Sequence, residues 1–212
     1  MELVLRAAVV LALASGCFIK PSPPCAEPSD GAPRDDFSEP SNMACNGWAT
    51  AGTLGDAKLT SGGGMLAFDV ASNGGTGYCV SQRTWPFTDP IFIELSSVTT
   101  GEAYNSFTVC TPDIMGSGCN FGISINNGRM QFNTQSGTLT TIQYDPNAMR
   151  WLQLERTGGA LHASYAPLFG QWTELDNAPM EDGDAKLTLQ AGAYDNTFAG
   201  TTVFQNLDVC PG

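Results

Sequence analysis

Basic residues are scarce in this chain of 212 residues. It contains 9 lysines and arginines against 21 aspartates and glutamates, which gives a formal net charge of −12 at pH 7. A surface that binds nucleic acid, or that docks directly on anionic lipid, needs clustered positive charge. The composition therefore argues against both kinds of partner.

Residue patterns that carry metal or hydrolytic chemistry are also missing. The chain has one histidine, His162, and no C-x-x-C pair, so the sequence indicates no zinc site. Ser164 shares a face of a predicted strand with His162, but there is no G-x-S-x-G motif and no cysteine that we expect to be a free nucleophile. We expect His162 to be structural, because a general base also needs an orienting partner.

The chain begins with a short apolar segment. The run after Arg6 covers about eight residues, whereas a membrane-spanning helix needs about 20, which predicts a cleaved leader. It ends in Ser15-Gly16-Cys17, which resembles the lipobox of bacterial lipoproteins. The resemblance implies a signal peptide over residues 1–16 and lipidation of Cys17. The alternative is cleavage after Ala14 by the ordinary secretory peptidase, which would leave one thiol unpaired.

The same resemblance predicts a location. Lipoproteins of this kind carry acyl chains on the cysteine, and these chains hold them permanently in the membrane. Phe18, and not an aspartate, follows the cysteine, which in Gram-negative lipoproteins implies the outer membrane. The sequence does not indicate whether the protein faces the periplasm or the cell surface. The expected membrane contact is therefore through the lipid anchor.

Prolines are concentrated between Phe18 and Pro40. Proline-rich segments are extended, so residues 17–34 are predicted to be a lipidated tether. The alternative is that part of this segment packs on the domain, and Cys25 lies in its middle.

Residues 35–212 are predicted to form one all-β domain. The residues Asn127-Gly128 favour the turn of an antiparallel hairpin over residues 123–132, and no part shows a sustained helical period. About a dozen short strands at this spacing are typical of a two-sheet sandwich. The predicted strands are Met65–Val70, Tyr78–Arg83, Ile91–Val98, Ser106–Cys110, Phe121–Asn126, Arg129–Asn133, Leu139–Tyr144, Trp151–Glu155, Leu161–Ala166, Lys186–Ala193 and Thr202–Val209.

Three segments carry a family resemblance. The stretch from Trp151 to Trp172, the opening Asp35-Asp36-Phe37 and the closing residues 203–209 resemble bacterial concanavalin A-like (lectin/glucanase, laminin-G-like) jelly-roll domains. The resemblance implies an antiparallel two-sheet jelly roll in which the opening and closing strands pair, and it places Trp151 in the core.

The resemblance also implies a set of disulfides, since six of the seven cysteines follow Cys17. If the end strands pair, Cys25 falls near Cys210. Cys110 and Cys119 flank a turn-rich segment, and Cys45 is left with Cys79. Other pairings of the six remain open at this point.

Retaining glucanases of this fold place Glu-x-Asp-x-Glu on one strand, so that alternate carboxylates reach one cleft. This chain has no such triplet: Glu94 stands alone on its predicted strand, and Gln153 occupies the place where a partner of Glu155 would be. The sequence gives no Ser/His/Asp or Cys/His signature either, and we therefore expect no catalytic residue.

Two weaker patterns complete the set of candidate sites. A polar segment offers oxygen ligands for calcium, although such residues are usually just solvated in turns. No other cofactor is indicated. Exposed aromatic rings could stack on sugars, although each could instead cap the core. The candidate calcium ligands are Asp176, Glu181, Asp182 and Asp184; the candidate sugar-stacking rings are Trp48, Trp85, Trp172 and Tyr194.

Taken together, these features favour an envelope-anchored lipoprotein whose jelly-roll domain binds a glycan or another envelope component without catalysis. Two alternatives remain: a structural or adhesive envelope protein with no small ligand, and a divergent glycoside hydrolase.

Overall fold

A computed structural model describes residues 33, 35, 37–38, 45, 49–70, 74–99, 103–110, 121–193 and 200–209 of the chain. The regular structure in these residues is almost entirely β, and no helix among them is long and apolar enough to span a bilayer. The strands are β1 (Ala49–Gly55), β2 (Lys58–Gly62), β3 (Met65–Val70), β4 (Gly75–Ser81), β5 (Trp85–Pro86), β6 (Ile91–Ser97), β7 (Ala103–Cys110), β8 (Phe121–Asn126), β9 (Arg129–Thr134), β10 (Gly137–Gln143), β11 (Trp151–Thr157), β12 (Ala160–Ala166), β13 (Thr173–Pro179), β14 (Asp184–Ala193) and β15 (Gly200–Val209).

These strands form two antiparallel sheets. The first has the order β1-β4-β14-β7-β8-β9-β10, with β5 paired to β14, and the second has the order β13-β12-β11-β6-β15-β3-β2. Large apolar side chains from both sheets fill the space between them, among them Phe107, Ile123 and Leu189 from the first and Leu154 and Phe204 from the second. The predicted all-β sandwich is confirmed.

Every predicted strand overlaps an observed one, and the predicted hairpin is present. Asn127 and Gly128 both have positive φ, 53° and 68°, as a two-residue primed turn requires. Four strands were not predicted: β1, β2, β5 and β13. Three of these, β1, β2 and β13, end a sheet. In β2 no residue is fully buried and in β13 only one is, so these two segments lack the apolar alternation that makes a strand recognisable.

The opening and closing segments meet as the resemblance implies. Asp35 and Leu207 form an antiparallel bridge, with N–O distances of 3.1 and 3.0 Å between their backbones. Cys45 is bonded to Cys79 of β4, with 6.3 Å between the Cα atoms. Cys110 is also disulfide-bonded. Cys17, Cys25, Cys119 and Cys210 lie outside the described residues, as do the predicted leader and most of the predicted tether.

A buried polar network ties the two sheets together. Asn105 of β7 donates from Nδ2 to the carbonyl oxygens of Thr99 and Ile125, both at 3.3 Å, and accepts a hydrogen bond from Thr202 of β15. Thr99 N also donates to Thr202 Oγ1 at 3.0 Å. Because each polar atom of Asn105 has a partner, this side chain can be buried between the sheets.

Candidate functional site

The outer face of the first sheet is mostly polar, although Leu54 at its β1 edge is an exposed apolar side chain. Along each strand the side chains alternate, so the residues between those that enter the core point away from it. Strand register aligns these outward residues into three rows, which we call the polar face. The upper row is Leu54, Thr76, Gly192, Tyr104, Asn126, Arg129 and Gln143; the middle row is Gly52, Tyr78, Gln190, Ser106, Ser124, Gln131 and Thr141; the lower row is Val80, Thr188, Thr108, Gly122, Asn133 and Thr138.

Hydrogen bonds hold one end of this face in place. Asn133 Nδ2 donates to Ser124 Oγ at 2.6 Å, and Thr138 Oγ1 donates to Asn133 Oδ1 at 2.6 Å. Ser124 Oγ in turn donates to Gln131 Oε1 at 3.4 Å. Since amides and hydroxyls held by their neighbours need little reordering, they could bind a polar ligand at a low entropic cost.

A second group of hydrogen bonds lies near the other end. Tyr104 Oη is bonded to Thr76 Oγ1, and it also accepts a hydrogen bond from Gln190 Nε2 at 3.3 Å. In the lower row, Thr188 Oγ1 is buried and has no hydrogen-bond partner. A buried hydroxyl without a partner costs about 1–3 kcal/mol, so its presence on this face needs an explanation.

No residue in the three rows is an aspartate or a glutamate. The outward positions of β7, for example, are Tyr104, Ser106 and Thr108. Glycoside hydrolysis by the two-carboxylate mechanisms needs an acid and a nucleophile or base on opposite sides of the scissile bond. The described part of the polar face therefore offers side chains for binding sugar hydroxyls and none for that chemistry.

Glu94, the candidate for divergent hydrolase chemistry, lies on the second sheet. Its side chain is 1% exposed, and Oε1 is 2.7 Å from Nε and 2.5 Å from Nη2 of Arg150. Oε2 accepts a hydrogen bond from Asn206. Both oxygens thus have hydrogen-bond partners, and the buried group is shielded from a substrate. Its position fits a structural ion pair.

His162 also has a structural partner. Its Nδ1 lies 2.9 Å from Oε1 of Glu174, which also accepts a hydrogen bond from Asn177 Nδ2 at 3.0 Å. Two hydrogen bonds lower the pKa of Glu174 below its usual value; the bond with His162 has the larger effect and the bond from Asn177 the smaller. Glu155, which faces His162 across the strand pair, accepts a hydrogen bond from Gln153 at 3.2 Å.

The four candidate calcium ligands do not form one cluster. Asp176 lies within β13, where it accepts a hydrogen bond from Thr140 of the first sheet; the sequence prediction that it lies in a turn is wrong. Asp184 begins β14 and accepts from Thr84 at 3.3 Å, while Glu181 and Asp182 are exposed. Within the described ranges, no group of three or more His, Cys, Asp or Glu side chains could hold a metal ion.

The candidate sugar-stacking tryptophans have different positions. Trp85 is fully buried and packs edge-on against Phe87 in the core, so the prediction that its ring is available to a ligand is wrong. Pairing of β5 with β14 draws it inside. Trp172 is half-buried on the outer face of the second sheet, stacked on Phe92 with 5.4 Å between ring centroids. Trp48 and Tyr194 lie outside the described residues.

Phe169, in the loop after β12, completes this aromatic group on the second sheet. Its ring centroid is 5.1 Å from that of Phe92, 5.2 Å from Trp151 and 5.6 Å from Trp172. Trp151 is buried as expected, but beneath this loop and not between the two sheets. The packing of the four rings against one another accounts for Trp172 without a ligand.

Neither a protein-family model nor a curated protein matches the chain. Solved structures do match. A prokaryotic β-1,3-1,4-glucanase (lichenase) from a mouse hindgut metagenome has a TM-score of 0.56 and 12% identity, over 84% of this chain and 98% of that one. The Bacillus licheniformis β-glucanase has a TM-score of 0.56 and 11% identity, over 84% and 97%.

The catalytic domain of an endo-1,3-β-glucanase (laminarinase) from Thermotoga petrophila RKU-1 has a TM-score of 0.57 and 9% identity, over 83% of this chain and 96% of that one. The fold is a concanavalin A-like jelly roll. At these identities the likeness shows the fold alone, so the activity of these enzymes does not transfer with it.

The tyrosines, amides and hydroxyls of the polar face were not among the candidate residues from the sequence. The signal that could have found them is the alternation within the predicted strands, such as Gln131 and Asn133 between the core residues Met130 and Phe132. That signal shows which residues point outward. It does not show which strands lie side by side.

Proposed function

We propose that the polar face of the first sheet binds a carbohydrate and does not cleave it. The observation that carries the proposal is the composition of the three rows, which consist mostly of tyrosines, amides and hydroxyls, with Arg129 as the charged side chain and no carboxylate among them. Aromatic rings pack against the apolar faces of sugars, and amides bind their hydroxyls.

The experiment compares soluble polysaccharides by affinity gel electrophoresis and calorimetry. Mixed-linkage β-1,3-1,4-glucan and β-1,3-glucan are the first probes, because two of the similar structures are enzymes named for these polymers. Xylan and mannan extend the panel. We expect saturable binding to at least one probe and no release of reducing ends.

Variants locate the binding surface. Changing Gln131 and Asn133 together to alanine removes two amides from the polar face and should weaken binding. Asn177→Ala removes an exposed amide from the second sheet and serves as the matched control. Equal affinity in both variants would place binding elsewhere. If no polysaccharide in the panel binds, a structural or adhesive role is favoured. If the protein releases reducing ends from a polysaccharide, a hydrolase is favoured.

We also propose that the domain is held at the cell envelope by lipid on Cys17. The support is the leader sequence that ends in Ser15-Gly16-Cys17 and the tendency of acyl chains to remain in a bilayer. Intact-mass spectrometry of the membrane-extracted protein should give the mass of a chain beginning at a lipidated Cys17. A chain beginning at Ser15 with a free thiol would contradict it.

A further inference from the structure

Two tyrosines on the polar face lie across glycines of the neighbouring strand. Tyr78 of β4 is directly opposite Gly52 of β1, and Tyr104 of β7 is directly opposite Gly192 of β14. A Cβ atom added to Gly52 would collide with Tyr78 Oη and lie 2.5 Å from its Cζ. A Cβ atom added to Gly192 would lie 2.6 Å from Tyr104 Oη and 2.7 Å from its Cζ.

Each ring therefore runs along the surface of the sheet and does not stand away from it. Both tyrosine side chains are half-buried, which leaves part of each ring to solvent. Neither Gly52 nor Gly192 has a positive φ, so the backbone does not require glycine at these positions. What requires glycine is the space that the neighbouring tyrosine fills.

The two rings are too far apart to touch a single sugar. Gly52 and Gly192 are separated by strand β4 and by two positions along the strands. With about 4.8 Å between strands and about 3.4 Å per residue, the diagonal between the two glycines is about 12 Å. That span exceeds one sugar ring, so only an oligosaccharide can contact both tyrosines.

The surface along this diagonal is uncharged. Thr76 lies between the two rings, and its hydroxyl is bonded to Tyr104 Oη, which Gln190 also contacts. Arg129, the charged residue of the three rows, is in β9, which is separated from Tyr104 by β8. A glycan that carries carboxylate or sulfate groups would find no cation among the described residues along the diagonal.

We propose that Tyr78 and Tyr104 are two stacking platforms for one uncharged oligosaccharide, and that Gly52 and Gly192 are the positioning residues that let the rings extend along the sheet. This inference rests on the proposed function, since it specifies how the same face holds its ligand.

Chain length gives the first test. A β-1,3-1,4-gluco-oligosaccharide series from disaccharide to hexasaccharide is titrated into the full domain by calorimetry. Affinity should rise in a step when the ligand becomes long enough to reach both rings, and Tyr78→Ala and Tyr104→Ala should each lower affinity for the long ligands about tenfold and remove the step. If affinity rises smoothly with ligand length and neither substitution changes it, the tyrosines are not stacking platforms.

The glycines are tested by a double-mutant cycle. Gly52→Ala should tilt the Tyr78 ring and weaken binding, while a Tm close to that of the parent shows that the fold is intact. In Tyr78→Ala, the further change Gly52→Ala should have no additional effect, because the ring on which it acts is absent. Additive losses would contradict a positioning role.

The two proposals fail in different ways. If the Gln131 and Asn133 variant loses binding while the tyrosine variants bind like the parent, the polar face binds carbohydrate but the platforms are wrong. If a charged polysaccharide such as polygalacturonate binds more tightly than the neutral series, the uncharged ligand is wrong. If nothing binds, the proposed function fails, and the platforms fail with it.

Discussion

Replacing Glu94 with glutamine should destabilise the domain by about 2–3 kcal/mol and should change no carbohydrate-cleaving activity. The glutamate is buried, with Arg150 on one oxygen and Asn206 on the other. Glutamine keeps one acceptor oxygen but places an NH₂ group against a partner that also donates. At least one buried donor is then left without an acceptor.

The size of the loss follows from the surroundings of the pair. Breaking a fully buried ion pair costs about 3–5 kcal/mol, but the Arg150 side chain is 50% exposed and can turn to water, which lowers the figure. For a domain of this size, about 2–3 kcal/mol corresponds to a fall in Tm of roughly 4–12 °C. Glu155→Gln, on the neighbouring strand, is the matched control and should change Tm little.

Urea denaturation followed by tryptophan fluorescence measures the loss, and a reducing-end assay on the polysaccharide panel runs beside it. Unchanged stability in Glu94→Gln would refute the argument that the ion pair is structural. A reducing-end signal in the parent that disappears in Glu94→Gln, with Tm preserved, would instead identify Glu94 as a catalytic group.

Four further outcomes are expected. Asn105→Ala should lower the free energy of unfolding by about 2–4 kcal/mol in urea denaturation, because it leaves buried carbonyl and hydroxyl groups unpaired. Replacing Cys45 and Cys79 with alanine should cost about 3–4 kcal/mol in the same assay, as the chain-entropy model gives for a loop of this length. Hydrogen bonds lower the pKa of Glu174, so its stabilisation should be present at neutral pH and be lost as pH falls through that lowered pKa; Glu174→Gln should flatten the acid limb of a Tm-against-pH profile. Thr188→Val removes a buried hydroxyl that has no hydrogen-bond partner among the described residues and should raise the Tm of the domain in a thermal melt, and a lower Tm would contradict this reasoning.

Strands with a regular apolar pattern could be predicted from the sequence, because local alternation defines them. The hairpin at Asn127-Gly128 is an example, since the turn residues and the flanking alternation agree. β13 was missed because its Asp176, Asn177 and Pro179 are turn-forming residues, and only pairing with β12 makes this segment a strand. Local preference is overridden there by hydrogen bonds to a neighbour.

The candidate site could not be predicted, because it depends on which strands are neighbours. Tyr78 meets Gln190 only because β14 inserts between β4 and β7, which lie far from it in the sequence. The position of Trp85 also depends on pairing between strands that are distant in the sequence. The sequence left it as a candidate sugar-stacking ring or a ring that caps the core, and its pairing with β14 buries it.

In each strand of the first sheet, the residues that point inward and those that point outward are under different physical constraints. Phe107 and Val109 must fit the core between the sheets, where a change of one methylene is costly. Ser106 and Thr108, which alternate with them, point to the polar face and not into that core. A jelly roll can therefore keep its fold while the outer face exchanges carboxylates for hydroxyls and amides. For this reason a TM-score of 0.57 with a laminarinase is compatible with a face on which the described residues include no carboxylic acid, and the chemistry of this domain follows from its outward residues and not from its architecture.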